Sequence, residues 1–179
     1  MIELHEIRQS DVPFIALMHA DSWRSVYRGI LLDEFLDGDL ITNREALWHK
    51  RLAELSDLTF GFIARQGDEP VGFVFVYGKH HEKWGSLIEN LHVQPNLKGQ
   101  GIGRRLLAAI AGRCNVLAPD AGMYLHVYEK NVAACGFYDS IGGKPALREV
   151  CAVPGGGTAA ELTCVWDSPV ALLARLTST

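Results

Sequence analysis

Apolar and polar positions alternate with a period of two over residues 2–7, which predicts a first strand. The spacing then changes. Ser10-Asp11-Val12-Pro13 has the form of a helix start with proline in the first turn, and Ile15, Leu17 and Met18 carry the helical pattern toward Tyr27, with Gly29 ending it. Residues 31–36 read as a short second helix, and Thr42-Asn43-Arg44-Glu45 as a capping box opening a third that carries Ala46, Leu47, Leu52 and Leu55. Aromatic and β-branched runs over 60–65 and 71–77, parted by Gly67-Asp68-Glu69, predict a hairpin, and 87–93 the next strand. Beyond a glycine-rich turn, Leu106, Leu107, Ile110 and Ala111 mark one face of a helix. A strand over 123–127 and a helix over 131–141 follow, then a hairpin with arms near 144–153 and 158–166 around Pro154-Gly155-Gly156-Gly157, and a tail helix after Ser168-Pro169.

The turn between the fourth strand and its helix carries the most chemistry. Gly99, Gly101 and Gly103 alternate just before a helix whose first-turn N–H groups have no intrahelical partner, so bare main chain and an aligned helix dipole face one spot. Lys98, Arg104 and Arg105 add positive potential, and the whole is suited to a diphosphate. A Walker A loop is excluded, because no Lys-Ser or Lys-Thr follows at the required reach; a dinucleotide fingerprint is excluded, because Arg104 and Leu106 stand where its third glycine belongs. Lys98, Gly101 and Gly103, preceded by Val93-x-Pro95, resemble the acetyl-CoA loop of the Gcn5-related N-acetyltransferases, with Lys98 in place of the usual Arg or Gln. A second stretch, Asn131-x-x-Ala134-x-x-Phe137-Tyr138-x-x-x-Gly142, resembles the same family, with Gly143 where a phenylalanine is usual, a change expected to loosen packing. The resemblance covers nearly the whole chain. It implies one domain over 1–179 of the α/β (α+β) class, with a mixed, largely antiparallel central sheet of six to seven strands flanked by helices.

Composition agrees with a globular domain: 179 residues, 48% hydrophobic and 21% charged. A net charge of −4 argues against a nucleic-acid partner, and the short apolar runs argue against a membrane span. With no apolar signal region at the start, a cytoplasmic location is expected. Cys114, Cys135, Cys151 and Cys164 lack metal spacing and read as reduced thiols; Cys151 and Cys164 flank the glycine turn and are expected as cross-strand neighbours. His80, His81 and Glu82 read as an exposed loop with no metal site, and residues 154–157 as a turn with no ligand.

Acetyl transfer to an amine needs a neutral nucleophile, donors for a developing oxyanion and a proton for the departing thiolate. Glu89, placed by alternation on the face of Leu91 and Val93, is the candidate base; the other reading is a solvated or arginine-paired carboxylate. The resemblance makes Tyr138 the acid for the thiolate, against a packing role for the Phe137-Tyr138 pair. It also assigns an oxyanion-binding N–H to Leu91, pantetheine pairing to the main chain of Leu91 and Val93, and a contact with that arm to Asn131, which could equally cap its helix. The cofactor residues so implied in the loop are Lys98, Gly99, Gln100, Gly101, Ile102, Gly103 and Arg104.

Trp23-Arg24-x-x-Tyr27-x-Gly29 resembles a segment that walls the acceptor pocket in bacterial members, making Trp23 and Tyr27 substrate-binding candidates, with core packing the alternative. Asp33, Glu34 and Asp37 could attract a cationic amine or form a solvated face. The expected function is acetyl-CoA-dependent transfer to a small primary amine by direct attack. A protein N-terminal or lysine acetyltransferase and a non-catalytic acyl-CoA sensor are the alternatives, and a homodimer is left open.

Overall fold

The alternating start forms β1 (Ile2–Glu6), and the helical pattern after it gives α1 (Val12–Val26), α2 (Asp33–Asp37) and α3 (Leu40–Ala53). The hairpin follows as β2 (Thr59–Gln66) and β3 (Glu69–His81), then β4 (Gly85–Val93), α4 (Ile102–Leu117), β5 (Met123–Tyr128) and α5 (Val132–Ser140). β6 (Lys144–Ala152), β7 (Thr158–Trp166) and α6 (Pro169–Thr177) close the chain in the computed structural model, which describes residues 1–177. The seven strands make one sheet in the order β1-β2-β3-β4-β5-β7-β6, antiparallel throughout except for the parallel pair β4 and β5. This is the mixed, largely antiparallel α/β architecture that the element order implied.

Each face of the sheet buries its own cluster. Leu106, Leu107, Ile110 and Ala111 from α4 and Leu172 from α6 pack on Val74, Val76, Ile88 and Met123. On the opposite face Ile15 and Ala16 of α1 and Trp48 of α3 cover Ile63, Phe73 and Phe75, and the Trp48 ring meets both phenylalanines edge-on at 5.3 and 5.2 Å. A third cluster joins Leu31, Leu36 and Leu40 to Val153 at the tip of the β6–β7 hairpin.

Several expectations are corrected. α3 begins at Leu40, not after Thr42, because Asp39 accepts from the Thr42 N–H at 3.3 Å and so caps the helix one turn earlier, which brings Leu40 into the third cluster. At the predicted start of α1, Asp11 is the N-cap residue but its side chain makes no capping bond: its carboxylate accepts the Arg8 N–H at 2.9 Å and pairs with Arg65 at 2.8 Å. His80 and His81 belong to β3 rather than to a loop; His80 Nδ1 pairs with the Tyr124 hydroxyl, and His81 stacks on Trp84 at 4.6 Å. Cys151 lies opposite Ala159 and Cys164 opposite Pro145, so the two are not cross-strand neighbours. Gly143 does not loosen packing either. A Cβ there would stand 2.9 Å from Cys164 Sγ, Trp166 and the Tyr138 carbonyl, so the Trp166 ring already occupies the space.

Candidate active site

β4 and β5 pair only at Ser86↔Met123 and Leu87↔Tyr124 and then separate. Beyond that fork a cleft of about 1120 Å³ opens, lined by the far halves of both strands, the glycine loop, α5, α1 and α3. A register break deepens it. Phe75 pairs with Asn90 and Val76 with Ile88, so Glu89 is the extra residue of a β-bulge. Glu89 therefore does not share a face with Leu91 and Val93, as strict alternation had placed it. Those two pack against the α4 cluster, whereas Glu89 and Asn90 both reach Arg51 of α3. Main-chain groups follow the pleat: Gln94 N–H donates to Val71 O at 2.9 Å, which turns alternate residues Leu91 and Val93 toward the edge that β5 has left.

At one end of the cleft lies the glycine loop. Gly99 and Gly101 hold φ of 78° and 80°, and a Cβ on either would meet nothing within 4 Å, so bare main chain faces open space. Gly101 is the N-cap of α4 and brings no side chain to its first-turn N–H groups. This cradle fits a diphosphate. Lys98, Gly99, Gly101, Ile102, Gly103 and Arg104 all line the cleft. Gln100 does not; its amide donates back to the Asn96 carbonyl at 3.4 Å. The Arg104 guanidinium donates to the Arg175 carbonyl at 2.6 Å at the end of α6, and Arg105 reaches the Ile2 carbonyl at 2.7 Å, so neither guanidinium points its charge at the loop.

Tyr138 on α5 lines the middle of the cleft, its ring 5.4 Å from Phe137 and 6.3 Å from Trp166, and its hydroxyl bonds to none of the described residues. Burial above all, with Tyr27, Cys164 and Cys135 nearby, pushes its proton affinity well above that of an ordinary phenol. Asn131 lines the cleft while its Oδ1 accepts the Ala134 N–H at 3.3 Å and caps α5, and its amide nitrogen bonds to none of the described residues.

At the far end stand Trp23 and Tyr27, half-buried and 5.6 Å apart, with Tyr27 edge-on to Tyr128 at 5.2 Å. Burial, with help from Glu161, pushes the Tyr27 phenol up to about 12. These aromatics join the third cluster and also line the cleft. Glu89 is ion-paired with Arg51, and Arg51 also donates to Asn90 Oδ1 at 2.8 Å. Asp33 and Asp37 are tied to Arg28 on the exposed side of α2. At the Pro154–Gly157 turn a Cβ on Gly155 would lie 2.4 Å from Phe35, so the hairpin tip sits tight against α2, and Phe35 backs Trp23 at 6.3 Å.

Arg44, Arg51, His92, His126 and Glu161 also line this end and were not singled out from the sequence. Burial raises the Glu161 carboxyl above its usual range, and His126 lies 3.7 Å from it. His92 bonds the Ser22 hydroxyl at 3.0 Å; burial, then Lys98, lowers its pKa from 6.5 to about 4. His19, which accepts from Trp48 Nε1 at 3.0 Å, is lowered the same way, chiefly by burial. The sign follows directly. As pH falls below 6.5 the unfolded chain takes up a proton that folded His92 refuses until about 4, so stability is lost over that window, by up to about 3 kcal/mol. Thermal melts from pH 7 to 4.5 check this: His92→Gln should flatten the slope, and an identical slope would assign the loss to other groups.

The family model described as acetyltransferase (GNAT) family matches residues 21–142. The peptidyl-lysine N-acetyltransferase YjaB of Salmonella typhimurium is 34% identical over 104 residues, 54% of this chain and 63% of that protein, so the chain spans less than two thirds of this relative. The probable N-acetyltransferase Rv2775 of Mycobacterium tuberculosis is 31% identical over 141 residues, 77% of each chain. Among solved structures, the PaiA N-acetyltransferase of Thermoplasma acidophilum in complex with coenzyme A superposes with a TM-score of 0.69 at 17% identity, covering 90% of this chain and 98% of that one. With the forked sheet and the glycine loop in place, these matches settle the family: the chain belongs to the acetyltransferase (GNAT) family.

Proposed function

We propose that the protein transfers an acetyl group from acetyl-CoA to the primary amine of a small molecule, by direct attack with both substrates bound. The observation that carries this reading is the continuity of one cleft from the glycine loop, past Tyr138 and the open edge of β4, to a pocket holding Glu89 and Glu161. When bound, acetyl-CoA supplies an activated acetyl group and a thiol as leaving group. The N–H groups at 101–104 bind the diphosphate, Val93 pairs with the pantetheine arm, and the Leu91 N–H stabilises negative charge developing on the acetyl oxygen. Asn131 contacts the same arm through its amide nitrogen. Tyr138 holds a proton at its hydroxyl for the departing sulfur, and Glu89, ion-paired with Arg51, accepts the ammonium proton of the acceptor. None of the described residues lining the cleft is a cysteine, which favours direct attack over a covalent acyl-enzyme.

A small-molecule acceptor is supported by the aromatic wall at this end, where Trp23 and Tyr27 line the cleft and Phe35, held against the hairpin tip, backs Trp23. A lysine side chain of a protein is the second reading, supported by the name of the Salmonella relative. Release of free coenzyme thiol decides between them. Small primary amines should give faster release than lysine peptides with blocked N-termini; turnover of peptides alone would favour the second reading. Binding of acetyl-CoA without release from either panel would leave a non-catalytic acyl-CoA module.

A further inference from the structure

The acceptor pocket contains a guanidinium that pairs with no carboxylate among the described residues. Arg44 and Arg51 stand two turns apart on one side of α3, and both line the cleft. Arg51 is neutralised by Glu89, and outside the cleft Arg28, Arg65, Arg113 and Arg148 each pair with a carboxylate. Arg44 pairs with none among the described residues. Its Nε and Nη2 donate to Asn43 Oδ1 of the adjacent residue, and its guanidinium carbon lies 4.3 Å from the centre of the Trp23 ring. Among the described residues that geometry leaves Nη1 and one N–H of Nη2 without a partner, which is the edge that meets an oxyanion through two parallel N–H···O bonds.

The surroundings give Arg44 no relief. Burial and the like charge of Arg51 both oppose its charged form. The two cleft carboxylates are engaged elsewhere, Glu89 with Arg51 and Glu161 with His126. A partly desolvated cation without a partner is costly, and the cost is offset when a ligand brings the missing charge. Trp23 stacking keeps the guanidinium plane fixed, so little side-chain freedom is lost when an anion binds.

We propose that the acceptor carries an anionic oxygen group, carboxylate or phosphate, on the same small molecule as its amine, and that Arg44 grips this group against the Trp23 ring. Amino acids and phosphorylated amines are the substrate classes this selects. The inference rests on the acetyl-transfer reading above for the amine end of the molecule and deepens it at the other end.

Matched acceptors test it: common amino acids against their carboxamides, and O-phosphoethanolamine against ethanolamine. The charged member of at least one set should have the higher kcat/KM, by about tenfold to a hundredfold, and whichever set shows the preference identifies carboxylate or phosphate. Arg44→Met should bring that ratio toward one, chiefly through KM, and Arg44→Lys should keep more of it than Arg44→Met. A second readout needs no turnover: calorimetric titration with N-acetyl amino acids, N-acetyl-O-phosphoethanolamine and their uncharged counterparts, on the parent and on Arg44→Met. Equal kcat/KM for charged and neutral acceptors in both sets, or a ratio untouched in a folded Arg44→Met protein, overturns the proposal. Turnover without charge preference removes the anion site and leaves acetyl transfer standing. Arg44-dependent binding of the anionic compounds without any turnover does the reverse.

Discussion

Tyr138→Phe is expected to lower kcat by about a hundredfold to a thousandfold while leaving affinity for coenzyme A unchanged. The substitution removes one oxygen and keeps the ring that packs beside Phe137 and Trp166, so α5 retains its seat on the sheet. That oxygen bonds to none of the described residues, and Tyr138 lines the cleft. Burial and the neighbouring Tyr27, Cys164 and Cys135 hold its proton well above the ordinary phenol range, so the hydroxyl remains a donor throughout any practical assay range. A departing thiolate with an ordinary pKa near ~8.5 gains from a donor placed within reach and loses it in the phenylalanine variant. A purely structural tyrosine would behave differently, with turnover kept and stability changed. Steady-state thiol release beside calorimetry of coenzyme A binding separates the two. An unaltered rate would pass the proton transfer to water.

The order of strands and helices was legible because each element carries its own period and its own stop signal, and the glycine loop because left-handed backbone at Gly99 and Gly101 imprints itself directly on residue choice. What escaped the sequence is set by contacts between distant segments. Glu89 was placed on the wrong face because a period-two reading carries through a bulge, and the extra residue is visible only in the register of β4 against β3. The Arg104 side chain reads as part of the positive rim of the loop until α6 folds back and presents its terminal carbonyls to the guanidinium. The acceptor end is assembled from α1, α3, β4, β5 and β7, so no local motif could mark Arg44, Arg51 or Glu161. The α3 start was misplaced by competition between two caps: Asp39 and Thr42 both suit the position, and burial of Leu40 favours the earlier.

Gly101→Val is expected to weaken coenzyme A binding by more than about a hundredfold, a loss equivalent to two charge-assisted hydrogen bonds. Two effects act together. At φ of 80° a β-branched residue is strained by about 1–2 kcal/mol, which moves the N-cap of α4 away from the conformation that aims its N–H groups into the cleft. Where the loop stays in place, the valine methyls enter the space left empty beside the main chain, the space a diphosphate needs. Gly101→Ala separates the contributions, since it shares most of the backbone strain and adds far less bulk. The two variants should therefore lose similar stability in thermal melts yet differ in affinity. Calorimetry with coenzyme A reads the outcome, and parent-like affinity in the valine variant would exclude residues 101–104 as the diphosphate cradle.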